Sequence, residues 1–425
     1  MRVLVSPLDW GLGHATRCIP ILRALRVAGH EVVIAASGAG LRLLREEFPD
    51  VETEEFPSYA MRYSKSRFLL PLWLLAQLPL FLLSILRERK RLNYLIQRRG
   101  IERVISDGRY GICTRKVPCV FITHQLCILP PGPRWLRSLL AGPILRFNRH
   151  ILRGFKEIWV PDFPASVNLS GMLGHPRIAW PEVRYIFPLC RFRSETLPWS
   201  QPMEAAGAGS FGKGIEKDDS ENPGGIDILA LVSGPEPQRT LFENLLMSAL
   251  QNRSGTPVLV RGVPGTPVAG QPKVPLHIVQ GKLNVFDHLP GEQLSQYLAS
   301  ARRVVCRSGY TSVMELAGMG KTDVLFIPTP GQPEQEYLAE HLHGMGFAVF
   351  QRQEYLDLDR ELPASLHALQ ANKTAELFGF AKLFPVGVSQ DDPAGSWVLA
   401  DWIHTHPLFH IPEHRIKRLA GTFVL

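Results

Sequence analysis

With 425 residues the chain has room for two ordinary domains, and a content of 45% apolar and 20% charged residues is that of a globular protein, not a disordered one. The formal charge of +8 suits an anionic partner, such as a nucleotide, a phospholipid surface or nucleic acid. The sequence has no aromatic-basic repeat or nucleic-acid motif, which sets the last of these aside.

Six cysteines lie scattered without CxxC pairs or histidine-rich spacing, so neither a zinc site nor a disulfide framework is expected, and reduced thiols in the cytoplasm are the reading. The chain opens on a strand-like MRVLVS with no signal-peptide pattern, and secretion by a standard signal is not expected.

Arg2 to Ser6 reads as a short apolar strand, followed by the glycine-bearing loop Gly11-Leu12-Gly13-His14-Ala15-Thr16-Arg17. A helix with Ile21, Leu22 and Leu25 inward ends at Gly29, and Val32 to Ala35 supplies the next strand, which opens a parallel, doubly wound α/β sheet. The loop lacks the third glycine of GxGxxG, which argues against a nicotinamide site. His14 stands at the strand-to-helix turn, where a neutral imidazole can take a proton from a hydroxyl; the alternative is a histidine satisfied by nearby backbone. Asp9 is a second candidate base or a group that orients His14. Gly13, Thr16 and Arg17 are read as phosphate-binding groups, with a solvated helix-start residue as the alternative for Arg17.

Phe68 to Leu86 is 19 residues without a charge, nearly enough to span a bilayer. Pro71, Pro79 and basic residues on both sides favour one or two helices lying in a membrane interface, with a buried core helix as the alternative. Trp135 to Phe155 interleaves apolar residues with Arg137, Arg146, Arg149 and Arg153, a second element suited to anionic lipid. Between them, Val104–Asp107 and Val120–His124 read as buried strands that carry Asp107, Arg109, Tyr110 and His124 to the rim of the sheet. A structural hydrogen bond is the alternative for His124.

Ile158 to Asp162 gives the last strand of the first half, and Ser194 to Gly225 is expected to be a mobile loop. Ile226 to Val232 starts a second sheet and ends in the Ser233-Gly234 turn, placed to meet a diphosphate. Arg261 closes the next strand, and core packing is the reading of Phe286 from the residues alone. Val304 to Tyr337 is a strand, a Ser308-Gly309 turn, a helix and a further strand, with Thr311 and Glu315 on the helix and Gln332, Gln335 and Glu336 after it. Ser312-x-x-Glu315 is also a capping box, so Glu315 is either a ligand group or a helix-end closure. Pro393 to His404 has helical spacing and is expected to cross back to the first domain.

Ser308-Gly309, Thr311, Glu315, the proline-rich turn and Gln335-Glu336-Tyr337 resemble the donor-site signature of family-28 glycosyltransferases, and GLGHATR resembles the family's N-terminal loop. The nearest comparison is the MurG type, which moves N-acetylglucosamine from UDP to a lipid-linked acceptor. Two positions depart from the pattern: Glu336 stands where a second glutamine is usual, and Tyr310 follows the Ser-Gly.

The resemblance implies the GT-B fold: two facing Rossmann-like domains with an interdomain cleft, acceptor-side residues 1–190, a linker 191–225, a nucleotide-sugar domain 226–390, and a helix and tail 391–425. It implies that Glu315 holds a ribose, the glutamine region the sugar, and Ser233-Gly234 the phosphates, with Phe286 near the uracil and His14 near the acceptor. His124 falls where the family has its HEQ-type loop. The implied partners are a UDP-sugar, a lipid-linked or glycan acceptor and an anionic membrane surface, with no metal or other cofactor. The implied place is the cytoplasmic face of the membrane. A nucleotide-sugar epimerase and a non-catalytic nucleotide-sugar-binding protein are the alternatives.

Overall fold

The computed structural model describes residues 1–58, 70–130, 132–164, 167–177, 180–192, 225–263, 277–361 and 396–409, with backbone alone for 70–78, 134, 138, 396–398, 400 and 401. The loop expected over 194–225 lies almost wholly outside this set, as do Phe68 and the tail beyond 409. The chain divides into two units, Met1–Leu189 with Phe384–Leu425, and Cys190–Leu383.

The first unit is built on a seven-stranded, all-parallel sheet in the order β3-β2-β1-β4-β5-β6-β7. The strands are β1 Arg2–Pro7, β2 Glu31–Ala36, β3 Glu52–Glu55, β4 Arg103–Asp107, β5 Cys119–Ile122, β6 Glu157–Val160 and β7 Val183–Tyr185. Helices α1 Gly13–Val27, α2 Gly38–Glu47, α3 Leu70–Arg99 and α4 Arg134–Leu152 connect them. The central strands β1, β4 and β5 are buried on both faces and accordingly read as continuous apolar runs. Helix α1 stops at Gly29, whose φ of +76° lets the His30 amide reach back to the Leu25 carbonyl at 2.9 Å.

Pro79 does not split the apolar stretch, and Pro71 stands in the first turn of the described helix. Helix α3 runs unbroken for 30 residues with Pro79 inside it. Among the described residues no helix is long and apolar enough to cross a membrane.

The last described helix, α9 Ser396–Thr405, packs on α1 within this unit. Trp159, wholly buried on β6, meets Trp402 edge-on at 4.9 Å between ring centroids, and Phe409 closes over the same indole at 5.6 Å. An aromatic contact of this kind adds about 0.5–1.5 kcal/mol to the burial of the rings.

The second unit has a seven-stranded sheet in the order β10-β11-β9-β8-β12-β13-β14, parallel except for the β10–β11 hairpin. Its strands are β8 Ile226–Leu231, β9 Val258–Val260, β10 His277–Gln280, β11 Leu283–Phe286, β12 Ala301–Cys306, β13 Val324–Phe326 and β14 Val349–Phe350. Helices α5 Gln238–Leu250, α6 Gly291–Ser300, α7 Tyr310–Gly318 and α8 Pro333–Gly344 cover it. In each sheet the strand order reverses once, between β1 and β4 and between β8 and β12, and ligands of such sheets bind beyond the carboxyl ends of the strands at that reversal.

Candidate active site

At the reversal in the first unit, the loop after β1 leads into α1 with His14 as its second residue, and β4 ends in Asp107. His14 Nδ1 lies 3.1 Å from Asp107 Oδ1, and Asp107 is wholly buried while 21% of the His14 side chain stays exposed. Arg17, one helical turn on, donates to both oxygens of Asp107, from Nε at 2.6 Å and from a terminal nitrogen, and its guanidinium also reaches His14 Nδ1 at 2.9 Å and His124 Nδ1 at 3.2 Å. Cys18 Sγ donates to Asp107 at 3.6 Å.

Burial opposes a charge on Asp107, but Arg17 and His14 outweigh it and hold the carboxyl well below the usual carboxylate range. Burial and then Arg17 push His14 below its ordinary value, with Asp107 pulling the other way. The imidazole is therefore neutral at physiological pH. Two ring arrangements satisfy the geometry: Nδ1–H donating to Asp107, or Nδ1 accepting from Arg17. Only the first leaves Nε2 with its lone pair, and that is the arrangement in which His14 can accept a proton. Gly108 leaves room for the ring: a Cβ there would stand 2.9 Å from His14 Cε1, and its φ of +75° is one that other residues resist.

At the reversal in the second unit, β8, β12 and β13 are neighbours, and the turns that follow them lead into the N-termini of α5, α7 and α8. Helix α7 is capped by Gly309 without a side-chain bond and has no acidic residue in its first turn, so its dipole and amides favour an anion. The helix starts two residues ahead of Ser312, so Ser312 and Glu315 do not form a capping box. Glu315 is buried, and its Oε1 stands 2.8 Å from Arg191 Nε, at ion-pair distance but not aligned as a hydrogen bond. Burial raises its carboxyl and Arg191 works against that rise.

Ser308 Oγ donates to the Gln335 carbonyl at 2.8 Å. Gln335 Oε1 accepts from the Thr329 amide at 2.8 Å, and Glu336 Oε1 accepts from Gly331 at 3.0 Å. Gln335 and Glu336 thus shape the turn between β13 and α8, and Gln332 caps the helix.

Several residues expected at the site do other work. Arg17 is neither a solvated helix-start residue nor set out to meet phosphate, because its buried guanidinium is spent on Asp107 and the two histidines. Arg109 is wholly buried and does not reach the rim. It bonds the Pro7 and Pro57 carbonyls, Ser37 and Glu88, joining β1, α2 and α3. Tyr110 bonds Asn148 at 3.2 Å and packs on Phe121, and burial lifts its hydroxyl to about 12. Arg261 is held by Glu243 at 2.6 Å and Asp287 at 2.7 Å. Phe286 stacks on His277 at 4.4 Å, with Tyr297 edge-on.

Asp9 Oδ1 is buried, without a hydrogen-bond partner among the described residues, in the loop that precedes His14. Thr16 is buried in α1 beside it, Gly13 opens the helix, and Thr311 lies in the first turn of α7. Ser233 and Gly234 form the turn after β8, with Gly234 at φ +112°.

Three contributors were missed in the sequence: Arg191, Arg307 and Thr329. Arg307, next to the Ser-Gly turn, is almost wholly buried and binds the Ile327 and Pro328 carbonyls at 3.0 Å each, the Gln238 carbonyl and the Gln353 side chain. A charged residue directly after a buried strand was the available signal. Arg191 offers none, since its partner is 124 positions away in sequence (315 minus 191).

Residues 281–380 match the glycosyltransferase family 28 C-terminal domain. The chain is 30% identical over 228 residues to an uncharacterized glycosyltransferase of Methanosarcina acetivorans, an alignment covering 50% of this chain and about half, 56%, of that protein. A second, from Methanosarcina mazei, is 25% identical over 371 residues, 84% of this chain and 87% of the relative. The crystal structure of the glycotransferase of kitacinnamycin superposes with a TM-score of 0.57 at 16% identity, covering 95% of this chain and 98% of that one, which bears on the fold. Two doubly wound units and a solved structure that superposes over 95% of the chain give the GT-B fold; residues 281–380 carry a glycosyltransferase family 28 C-terminal domain, and the relatives aligned over most of the length are glycosyltransferases.

Proposed function

We propose that the protein is an inverting glycosyltransferase that moves a hexosyl group, N-acetylglucosamine being favoured, from a UDP-sugar to a hydroxyl of a lipid-linked or cell-envelope acceptor. The observation that carries this reading is the His14–Asp107 pair at the strand reversal of the first unit. His14 Nε2 takes the acceptor's hydroxyl proton as the oxygen bonds to the anomeric carbon from the face opposite the diphosphate. The bond from that carbon to the diphosphate oxygen breaks, and the nucleoside diphosphate leaves with the electron pair. Asp107, held ionised by Arg17, stabilises the imidazolium that forms.

In the second unit, the amides at Ser233-Gly234 and Ser308-Gly309 and the α7 dipole meet the charge on the leaving diphosphate, so the reading asks for no metal or other cofactor. Glu315 serves the ribose, and Gln332, Gln335 and Glu336 the sugar side.

A lipid-linked acceptor is supported by exposed apolar side chains set among cations. On α4, Trp135 is 69% and Leu139 66% exposed, and Phe147 lines a recess of ≈ 410 Å³ with Arg146, Arg149, His150 and Arg153. On α3, Leu80 and Leu86 are exposed just ahead of Arg87 and Lys90. Such faces suit peripheral contact with the anionic cytoplasmic leaflet.

The test is a donor screen with UDP-, GDP- and ADP-sugars, followed by an acceptor assay on a lipid extract. Acceptor-dependent release of UDP is expected. Consumption of the donor without acceptor would make the protein an epimerase, and binding without consumption a non-catalytic partner.

A further inference from the structure

We propose that the Thr329 hydroxyl is a diphosphate-binding group, donating to a phosphate oxygen that also meets the Gly234 turn; this rests on the reading of the second unit as the donor site. Thr329 sits in the turn between β13 and α8 with only 1% of its surface exposed, and among the described residues its Oγ1 has no hydrogen-bond partner. A buried hydroxyl left unpaired is destabilising, and a ligand oxygen that accepts its hydrogen bond removes that cost.

What the hydroxyl faces is the turn after β8. A Cβ built on Gly234 would find Thr329 Oγ1, at 4.0 Å, as its one neighbour within that range among the described residues, and the φ of +112° at Gly234 disfavours any residue that would fill the space. The two turns are drawn together across the end of β12 by Arg307, which bonds the Ile327 and Pro328 carbonyls on one side and the Gln238 carbonyl at the start of α5 on the other.

The charge of Arg307 decides what kind of ligand belongs there. Its partners are three carbonyls, an amide oxygen and the face of Phe242 at 3.8 Å; among the described residues no carboxylate pairs with it. A guanidinium 1% exposed and without a counter-ion is costly to keep charged, and burial lowers it to about 9. With the buried Arg307 cation bonded to the same turn and the α7 N-terminus three residues along the chain from it, the partner that suits the Thr329 hydroxyl is an anionic oxygen. A neutral sugar hydroxyl would leave the cation as it is.

The test compares wild type, Thr329→Val and Thr329→Ser in calorimetric titrations with UDP and with uridine, together with the thermal midpoint of the ligand-free protein. The valine variant should bind UDP about ten- to a hundredfold more weakly, the scale of a lost hydrogen bond to a charged group. Its uridine binding should be unchanged, and its ligand-free midpoint equal to or above that of wild type, because an unpaired hydroxyl has been removed. The serine variant should bind UDP like wild type. A valine variant that binds UDP normally, or whose ligand-free form melts well below wild type, overturns the assignment of Thr329 alone. Failure of the wild type to bind UDP, GDP or ADP overturns the donor-site reading and this assignment with it.

Discussion

Asp107→Asn is the change whose consequences the structure specifies most fully. The side chain keeps its shape but loses its charge, so Arg17, 3% exposed, is left as a buried cation, and His14 loses the acceptor that orients Nδ1–H. Breaking a buried ion pair from one side costs about 3–5 kcal/mol, and asparagine, which can still accept one bond from Arg17, belongs at the lower end. At 2–4 °C per kcal/mol for a unit of this size, that is roughly 6–12 °C in the melting midpoint.

The pH dependence has a definite sign. The Asp107 carboxyl titrates lower in the folded chain than in the unfolded one, so its contribution is complete above the unfolded value of about 3.9 and drains away as pH falls towards the folded value. Wild type should lose stability through that acid range more steeply than the variant. Turnover should fall by about 10²-fold or more, the scale of general-base catalysis. Because Asp107 raises His14, the acid limb of kcat/KM should also move to lower pH in the variant. Thermal melts from pH 3 to 7 alongside a UDP-release assay read all of this. An Asp107→Asn protein with the wild-type midpoint and turnover would refute the reasoning.

Gly108→Ala places a methyl group 2.9 Å from the His14 ring at a φ of +75°, so it should abolish most turnover at a cost of only about 1–3 kcal/mol in stability, while UDP binding in a titration stays normal. Glu315→Gln removes the anion that Arg191 faces and the proposed ribose acceptor, and donor affinity should weaken about tenfold with kcat much less affected, as a KM-against-kcat split would show. Replacing Trp135, Leu139 and Phe147 by serine should lower partition onto vesicles containing phosphatidylserine, and binding by wild type should fall as salt rises; unchanged flotation of the triple variant would remove α4 from the membrane face.

The sheets were legible because parallel strands buried on both faces leave continuous apolar runs, as in Val3-Leu4-Val5 and Val304-Val305-Cys306, and because glycine must stand where α1 stops. His14 and Asp107 were each legible as polar residues at strand ends. Their pairing was not, since it depends on β4 lying beside β1, a register 93 positions apart in sequence that no local pattern encodes. Arginines were read least well. Arg17, Arg109 and Arg307 look like surface residues in the sequence, yet each is buried because the turns around it supply carbonyls or a carboxylate in three dimensions. Helix α3 likewise runs on through Pro79, which reads locally as a break, and its later turns bury Ile85, Leu92 and Leu95.

His14→Ala, assayed for acceptor-dependent UDP release and in parallel for UDP-sugar binding, tests the central claim most directly. Turnover should drop at least a hundredfold while the donor dissociation constant stays within about twofold of wild type. Wild-type turnover in the variant, or a loss of donor binding as large as the loss of turnover, would contradict it.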